Sequence, residues 1–419
     1  MRRRTLLGLG ALGALGLWAA RPTDHGRPHD AYFKDLNQLL QRDGGGIPQL
    51  IIDLDRLDAN ADLLATRLGP RPLRLVAKSL ASGGLLEYLA RRLNCSRFMA
   101  FHQPQLNQLV RLFPGADLLL GKPLPAAAAL AFYQQLPHHL GFEPSRQVTW
   151  LVDSPQRLQA YAELGRGLGQ PLQIALEIDI GLARGGFPTP EALGSALQQM
   201  AASPSTLQLR GLMGYDAQVA HAPFWVGRER ALVESNARYQ AFIQVAQASR
   251  LWPKSPLLNG GGSQTYPLHA NGKGPLNEVA VGSALLKPAG FDSDLLHEHQ
   301  PALWIATPVL KVLDGALPYL KGAQGVLQGW NPNRQRAHYL YGGNWQATPT
   351  SPAGLAYDHL YGRSANQERL VGSDATGLAV DDWVFLRPTH SEGTLGEFAD
   401  LRLLRRRSLV GRWNPLGLA

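Results

Sequence analysis

Val148-Thr149-Trp150-Leu151-Val152 is a short uncharged run, Pro155–Leu164 an amphipathic stretch, and Gln173-Ile174-Ala175-Leu176-Glu177-Ile178-Asp179 a second largely apolar run. That order is the signature of a strand–helix–strand unit. The same alternation extends outward on both sides. Candidate strands Gln49–Asp53, Leu73–Ala77, Arg97–Ala100 and Ala116–Leu120 precede it, and Leu207–Met213 and Leu257–Asn259 follow. Amphipathic stretches such as Leu57–Leu68, Leu85–Leu93 and Ala231–Ser249 separate them. Eight strands with intervening helices over about 240 residues predict a TIM-type (β/α)8 barrel. An open doubly wound sheet is the alternative, because periodicity does not show closure.

The barrel is expected over residues 45–295, after a linker and a helix around Phe33–Arg42 within 21–44. Beyond about residue 300 the helical pattern stops. Short apolar runs (Ala302–Val312, Gly325–Leu327, Trp383–Leu386, Leu401–Leu404) alternate with Gly/Pro/Asn-rich turns, so 296–419 is predicted as a smaller, mainly β domain.

The 419-residue chain carries 41 Lys and Arg against 32 Asp and Glu. The excess is not spread over the protein. Arg2, Arg3 and Arg4 near one end, and Arg402, Arg405, Arg406, Arg407 and Arg412 near the other, lie in stretches with no acid and account for nearly all of it. The body is close to neutral, and nucleic acid is not an implied partner. Cys95 is the only cysteine, which excludes an intrachain disulfide and Cys-rich zinc sites.

Residues 1–20 read as a targeting segment. Arg3-Arg4-x-Leu6-Leu7 resembles a twin-arginine export signal, and the apolar stretch Leu6–Ala20 is shorter than the roughly 20 residues a spanning helix needs. Export to the periplasm is the expectation. An uncleaved anchor is the alternative, since Leu17-Trp18-Ala19-Ala20 is a poor cleavage site. Any membrane association is then expected only through this segment.

Barrel enzymes place their chemistry at the C-terminal ends of the strands. Lys78 directly follows Arg74-Leu75-Val76-Ala77; a lysine among apolar neighbours loses ammonium solvation, and its free amine can then condense with a carbonyl. Lys122 meets the same criterion after Ala116–Leu120, and position does not separate the two; a strand-end lysine can equally be a solvated or ion-paired residue. Gly260-Gly261-Gly262 after the last candidate strand lets backbone N–H groups approach an anion, with Ser263 and Thr265 adding hydroxyls. Arg184, beyond Glu177 and Asp179, is suited to a ring nitrogen or an anion, or to a salt bridge with those carboxylates.

Ala77-Lys78-Ser79, Glu177-Ile178-Asp179-Ile180-Gly181-x-x-Arg184, Gly211-Leu212-Met213-Gly214-Tyr215 and Gly260-Gly261-Gly262-Ser263-x-Thr265-Tyr266 occur in the order seen in fold-type III pyridoxal-phosphate enzymes. The resemblance is closest to the D-threonine aldolase and D-serine dehydratase branch, whose barrel is similar to the alanine racemase N-terminal domain. It covers roughly residues 45–290. It implies that Lys78 carries pyridoxal 5'-phosphate as a Schiff base and moves protons. It implies that Gly260, Gly261, Gly262 and Ser263 hold the phosphate, with Thr265 and Tyr266 close by. Arg184 would face the pyridine nitrogen and Tyr215 would line the pocket. The branch also carries a divalent metal, zinc or manganese, on a histidine and a residue two further on. His390 and Glu392 match that spacing here, with Glu where Asp or Cys is expected.

These implications point to a lyase acting at Cα of a D-amino acid, aldolase-like or dehydratase-like. A racemase is the first alternative, taking a second base from among Tyr319, Tyr339, Tyr341, Tyr357 and Tyr361. A cofactor-free Schiff-base aldolase would purify colourless, and a non-catalytic exported binding protein would hold its ligand without turnover. The resemblance also suggests a homodimer.

Overall fold

The computed structural model describes residues 21–137, 140–272, 274–315, 319, 324–358 and 362–416. The export reading of residues 1–20, and Tyr361, lie outside these. The chain divides into two compact units.

The larger unit comprises Leu54–Ala302 with His390–Asp400 and the end of the chain from Trp413. Its centre is a closed parallel barrel. The first strand of the chain, β1 (Gln49–Asp53), is not part of it. The barrel strands are β2 (Leu73–Val76), β3 (Arg97–Ala100), β4 (Asp117–Leu120), β5 (Val148–Val152), β6 (Leu172–Glu177), β7 (Leu207–Gly214), β8 (Leu257–Gly260) and β9 (Glu278–Val281). Closure is made by β2 against β9, with Leu73 opposite Val279 and Leu75 opposite Val281. Strands such as β5 are buried along their whole length, as parallel strands covered by helices must be. Helices Gly83–Arg92, Pro155–Leu168 and Pro190–Ala201 start where a side chain satisfies a free N–H: Ser82 accepts from Leu85, Ser154 from Arg157 and Thr189 from Ala192. Pro155 and Pro190 occupy first-turn positions where a missing N–H costs nothing.

Inside the barrel the core is ionic at one level. Arg74, fully buried on β2, makes a bidentate pair with Glu278 of β9, through Nε at 2.6 Å and Nη2 at 3.0 Å, and also donates to the carbonyls of Phe98 and Asp117. Asn259 of β8 donates to the same Glu278 at 2.8 Å.

The smaller unit takes the chain up to Asp53, then Leu303–Thr389 and Leu401–Arg412. Its remaining strands are β10 (Leu303–Asp314), β11 (Arg336–Leu340), β12 (Ala347–Ser351), β13 (Ala356–Tyr357), β14 (Arg369–Gly372), β15 (Trp383–Pro388), β16 (Leu401–Arg405) and β17 (Ser408–Trp413). With β1 they form a nine-stranded sheet. Helix Ala31–Asp43, capped by Asp30, packs Phe33, Leu36 and Leu40 against Trp304, Trp383 and Phe385 of that sheet.

Three assignments differ from the sequence reading. β1 pairs antiparallel with β10 and parallel with β16, so it belongs to the β unit. The eighth barrel strand is Glu278–Val281, a four-residue segment whose buried glutamate masks the apolar pattern. Gly325–Leu327, read as a β-type run, lies in helix Gln324–Trp330. Of the tyrosines considered as a second base, Tyr319 is fully exposed and Tyr357 donates its hydroxyl to the Ala347 carbonyl at 2.7 Å.

Candidate active site

A cavity opens among the C-terminal ends of the barrel strands, with about 650 Å³ of empty space including its mouth, the size range of small-molecule sites. Lys78, Arg184, Tyr215, the Gly260–Ser263 turn and Glu392 all line it. Lys122 does not, which separates the two strand-end lysines.

Lys78 is presented by one turn of 3-10 helix, Ala77–Leu80, at the end of β2. Ala77, Ser79 and Leu80 are buried, and the lysine is the residue of the turn left facing outward. A Cβ at Gly282, beyond β9, would lie 2.8 Å from Ser79 Cβ and 2.9 Å from Val76 Cβ, so only glycine lets the end of β9 approach this turn. Lys78 Nζ stands 4.7 Å from the centre of the Phe101 ring and 3.1 Å from Glu392 Oε1. The same carboxylate oxygen accepts from Ser79 Oγ at 3.0 Å.

The Gly260–Ser263 turn follows β8. Gly261 has φ +67°, a conformation that favours glycine. A Cβ at Gly262 would lie 2.6 Å from the Tyr215 ring, and one at Gly260 would lie 2.7 Å from the Gly214 carbonyl oxygen. Among the described residues, the N–H groups of Gly261, Gly262 and Ser263 donate to no backbone carbonyl. Ser263 Oγ accepts from Gly282 N–H at 3.2 Å, which leaves its own proton free to donate. Bare backbone, free N–H groups and a hydroxyl at a strand end make an anion cradle. Asn259 also lines the cavity, with a buried Oδ1 that has no partner among the described residues. These features fit a phosphorylated, aldehyde-bearing aromatic cofactor held between the cradle and Lys78.

Arg184 rides on a loop that Asp179 builds, its Oδ1 accepting from the N–H groups of Gly181 at 2.9 Å and Ala183 at 3.1 Å. Gly186, at φ +90°, lets the loop return over Glu177, where Phe187 N–H donates to the Glu177 carbonyl at 2.7 Å. The Arg184 guanidinium lies 4.8 Å from the Tyr215 ring centre. Burial, and after it the Asp153 carboxylate, push the Glu177 carboxyl upward, while Arg184 opposes the shift. Burial also raises the Tyr215 phenol, reinforced by Asp216 and opposed by Arg184.

Thr265, Tyr266 and His390 do not line the cavity. Thr265 is buried and donates to Asp216 Oδ1 at 2.6 Å. Tyr266 is fully buried with its hydroxyl 2.5 Å from His299 Nε2. His390 is exposed and its ring meets Phe291 edge-on. His390 and Glu392 fall short of the three protein ligands that a catalytic zinc site takes, Glu392 Oε1 is engaged by Lys78 and Ser79, and no three metal-capable side chains converge among the described residues. Sequence reasoning missed Phe101 and Asp216, and gave no role to Ser79 and Asn259 although both lie in the stretches it singled out. Ser79 and Asp216 directly follow Lys78 and Tyr215, and that adjacency was the available signal.

A parallel β/α barrel with a lysine and an anion cradle at its mouth, joined in one chain to a β unit, defines the class of protein. Residues 52–289 match the family described as alanine racemase, N-terminal domain, and the chain belongs to that family. It is 28% identical over 257 residues to the 3-hydroxy-D-aspartate aldolase of Paracoccus denitrificans (strain Pd 1222). That match covers 59% of this chain and spans 60% of the relative's length. The fold is shared with D-threonine aldolase from Filomicrobium marinum at TM-score 0.68 and 17% identity, covering 88% of this chain and 97% of that one. It is also shared with D-threo-3-hydroxyaspartate dehydratase from Delftia sp. HT23 at TM-score 0.66 and 18% identity, covering 89% and 98%.

Proposed function

We propose that this protein is a pyridoxal-phosphate-dependent lyase that cleaves a β-hydroxy-D-amino acid at Cα. The observation that carries the reading is the convergence of Lys78, the Gly260–Ser263 cradle and Glu392 on one cavity. The names of the Paracoccus and Filomicrobium relatives support the same substrate class.

Lys78 is the residue to hold the cofactor's aldehyde carbon, and the N–H groups of Gly261, Gly262 and Ser263, with the Ser263 hydroxyl, are the donors for its phosphate. The cofactor, when bound, supplies an electron sink for the negative charge left at Cα. Arg184, packed on Tyr215, is the cation available to the ring nitrogen. Tyr215, kept protonated by burial, supplies an apolar wall with a neutral hydroxyl. Glu392 is the carboxylate within reach of Lys78, positioned to exchange a proton with the amine or to take one from a substrate hydroxyl. Transfer of that hydroxyl proton to Glu392 with breakage of Cα–Cβ releases an aldehyde, and return of one proton to Cα gives glycine.

The test is an absorbance spectrum of the purified protein before and after borohydride, beside Lys78→Ala, followed by assay of D-threonine and 3-hydroxy-D-aspartate. A near-ultraviolet or visible band abolished by borohydride and missing from the variant, with aldehyde and glycine formed, is the expected result. Ammonia and an oxo acid instead would make the enzyme a dehydratase. A colourless protein that takes up no added pyridoxal phosphate overturns the reading.

Export through Arg3-Arg4 and the Leu6–Ala20 stretch, and assembly as a homodimer, belong to the same proposal. Cell fractionation of the full chain beside an Arg3→Lys, Arg4→Lys variant, and light scattering of the purified protein, test them.

A further inference from the structure

Asp216 is buried beside the proposed phosphate cradle, at 1% exposure, immediately after Tyr215 and β7. A carboxylate in that position costs solvation unless its oxygens are filled, and it repels an anion brought to the cradle. Both oxygens are engaged. Oδ1 accepts from Thr265 Oγ1 at 2.6 Å, and Oδ2 lies 2.5 Å from His269 Nε2. Thr265 and His269 are themselves 1% and 2% exposed. His269 Nδ1 is buried with no partner among the described residues, so the tautomer with its proton on Nε2 avoids burying an unpaired N–H.

The two donors both come from the segment that follows the glycine run. Thr265 closes the turn, its N–H donating to the Gly262 carbonyl at 3.1 Å. His269 stands behind the turn: a Cβ at Gly261 would meet its Cδ2 at 3.3 Å. On the other side, Gly262 faces the Tyr215 ring. The turn is thus held between Tyr215 and His269, and Asp216 ties the end of β7 to both Thr265 and His269. The Thr265 proton is committed to Asp216, so this hydroxyl is a poor candidate to donate to a phosphate.

We infer that Asp216, Thr265 and His269 form a buried clamp that fixes the N–H groups of the Gly261–Ser263 turn in an anion-binding arrangement without touching the anion. They are positioning residues for the phosphate subsite. The inference rests on the proposal that this turn takes the phosphate of pyridoxal phosphate, and it adds a consequence. Loosening the clamp weakens recognition of the phosphate group while leaving the rest of the cofactor site intact.

The experiment titrates cofactor-free protein with pyridoxal 5'-phosphate and, separately, with pyridoxal, which lacks the phosphate. Wild type, Thr265→Val and Thr265→Ser are compared, with Thr265→Ala replacing the valine variant if that one does not fold. Thr265→Val is expected to raise the Kd for pyridoxal 5'-phosphate by about tenfold, the weight of one charge-assisted hydrogen bond, and to leave the Kd for pyridoxal within about twofold. Thr265→Ser, which keeps the donor, is expected to restore wild-type affinity. Equal loss for both ligands, or no loss for the phosphorylated one, overturns the clamp. Wild-type protein that shows no preference for pyridoxal 5'-phosphate over pyridoxal overturns the proposed function instead, and this arm is read before any variant is made.

Discussion

Glu392 Oε1 lies 3.1 Å from Lys78 Nζ and also accepts the Ser79 hydroxyl at 3.0 Å. Both charged side chains keep about two-fifths of their surface exposed, so the ion pair contributes little to stability. Its value is positional: one carboxylate is aligned on the amine proposed to hold the cofactor. Glu392→Gln keeps the shape and removes the base. The expected outcome is a turnover number lower by about 10²-fold or more, the usual weight of a positioned acid–base group, with the cofactor absorbance band retained. Steady-state kinetics at saturating pyridoxal phosphate, with the spectrum recorded on the same sample, checks it. An unchanged kcat removes Glu392 from the proton path.

Gly262 makes a sharper case for backbone approach than its neighbours. Its φ is not in the left-handed region, so alanine is conformationally allowed there, yet the added methyl would sit 2.6 Å from Tyr215 Cε2. The ring has little freedom to retreat, with the Arg184 guanidinium stacked 4.8 Å from its centre. Gly262→Ala is therefore expected to fold and to lose cofactor affinity by about tenfold, since the ring or the turn must move from its binding position. Fluorescence titration with pyridoxal phosphate, beside a thermal melt of the cofactor-free protein, measures both parts.

The barrel was legible because its strands are short apolar runs spaced by amphipathic helices. Its membership was not wholly legible. Gln49–Asp53 has the same local pattern as a barrel strand, and only its pairing with Leu303–Asp314 and Leu401–Arg405, more than two hundred residues away, assigns it to the β unit. Glu278–Val281 escaped because Glu278, an interior residue, carries a charge that Arg74 neutralises from the far side of the closure. At the site, Lys78, Arg184, Tyr215 and the glycine turn were found through strand-end position and motif order together. Thr265 and Tyr266 were grouped with the cradle because they are adjacent in sequence. The turn at Thr265 and the 3-10 helix that begins at Tyr266 direct the two side chains inward, toward Asp216 and His299. Side-chain direction after a turn is set by tertiary partners, which a motif does not contain.

Arg74 offers a test of the barrel itself. Its guanidinium is fully buried and joins Glu278, Asp117 and two backbone carbonyls. Arg74→Met fills most of the volume but leaves Glu278 without its bidentate partner, retaining Asn259 and a longer contact from Arg97 at 3.4 Å. Breaking a buried pair from one side costs about 3–5 kcal/mol. The expected result is an unfolding free energy from urea denaturation lower by that order, with Arg74→Met, Glu278→Gln recovering part of the loss because no uncompensated carboxylate remains. A double variant as unstable as the single one would show that packing, not charge, sets the cost.

His299 predicts the acid limb of stability. Burial, then the nearby Arg67 and Lys287 charges, push its imidazole from 6.5 down to about 4. For a base with a depressed folded value, the unfolded chain binds a proton that the folded chain does not. Stability is therefore unaffected above about pH 6.5, falls as pH drops from there toward about 4, and levels off below. The full effect is on the order of 3 kcal/mol, at about 1.4 kcal/mol per decade of proton affinity. His338 in the β unit, pushed to about 4 by burial and then by Arg336, acts in the same direction. His299→Gln keeps a polar group for the Tyr266 hydroxyl but cannot titrate in this range. Urea midpoints measured across this pH window should fall less steeply for His299→Gln than for wild type, and less steeply again when His338→Gln is added. Parallel curves for wild type and both variants would place the acid sensitivity elsewhere in the fold.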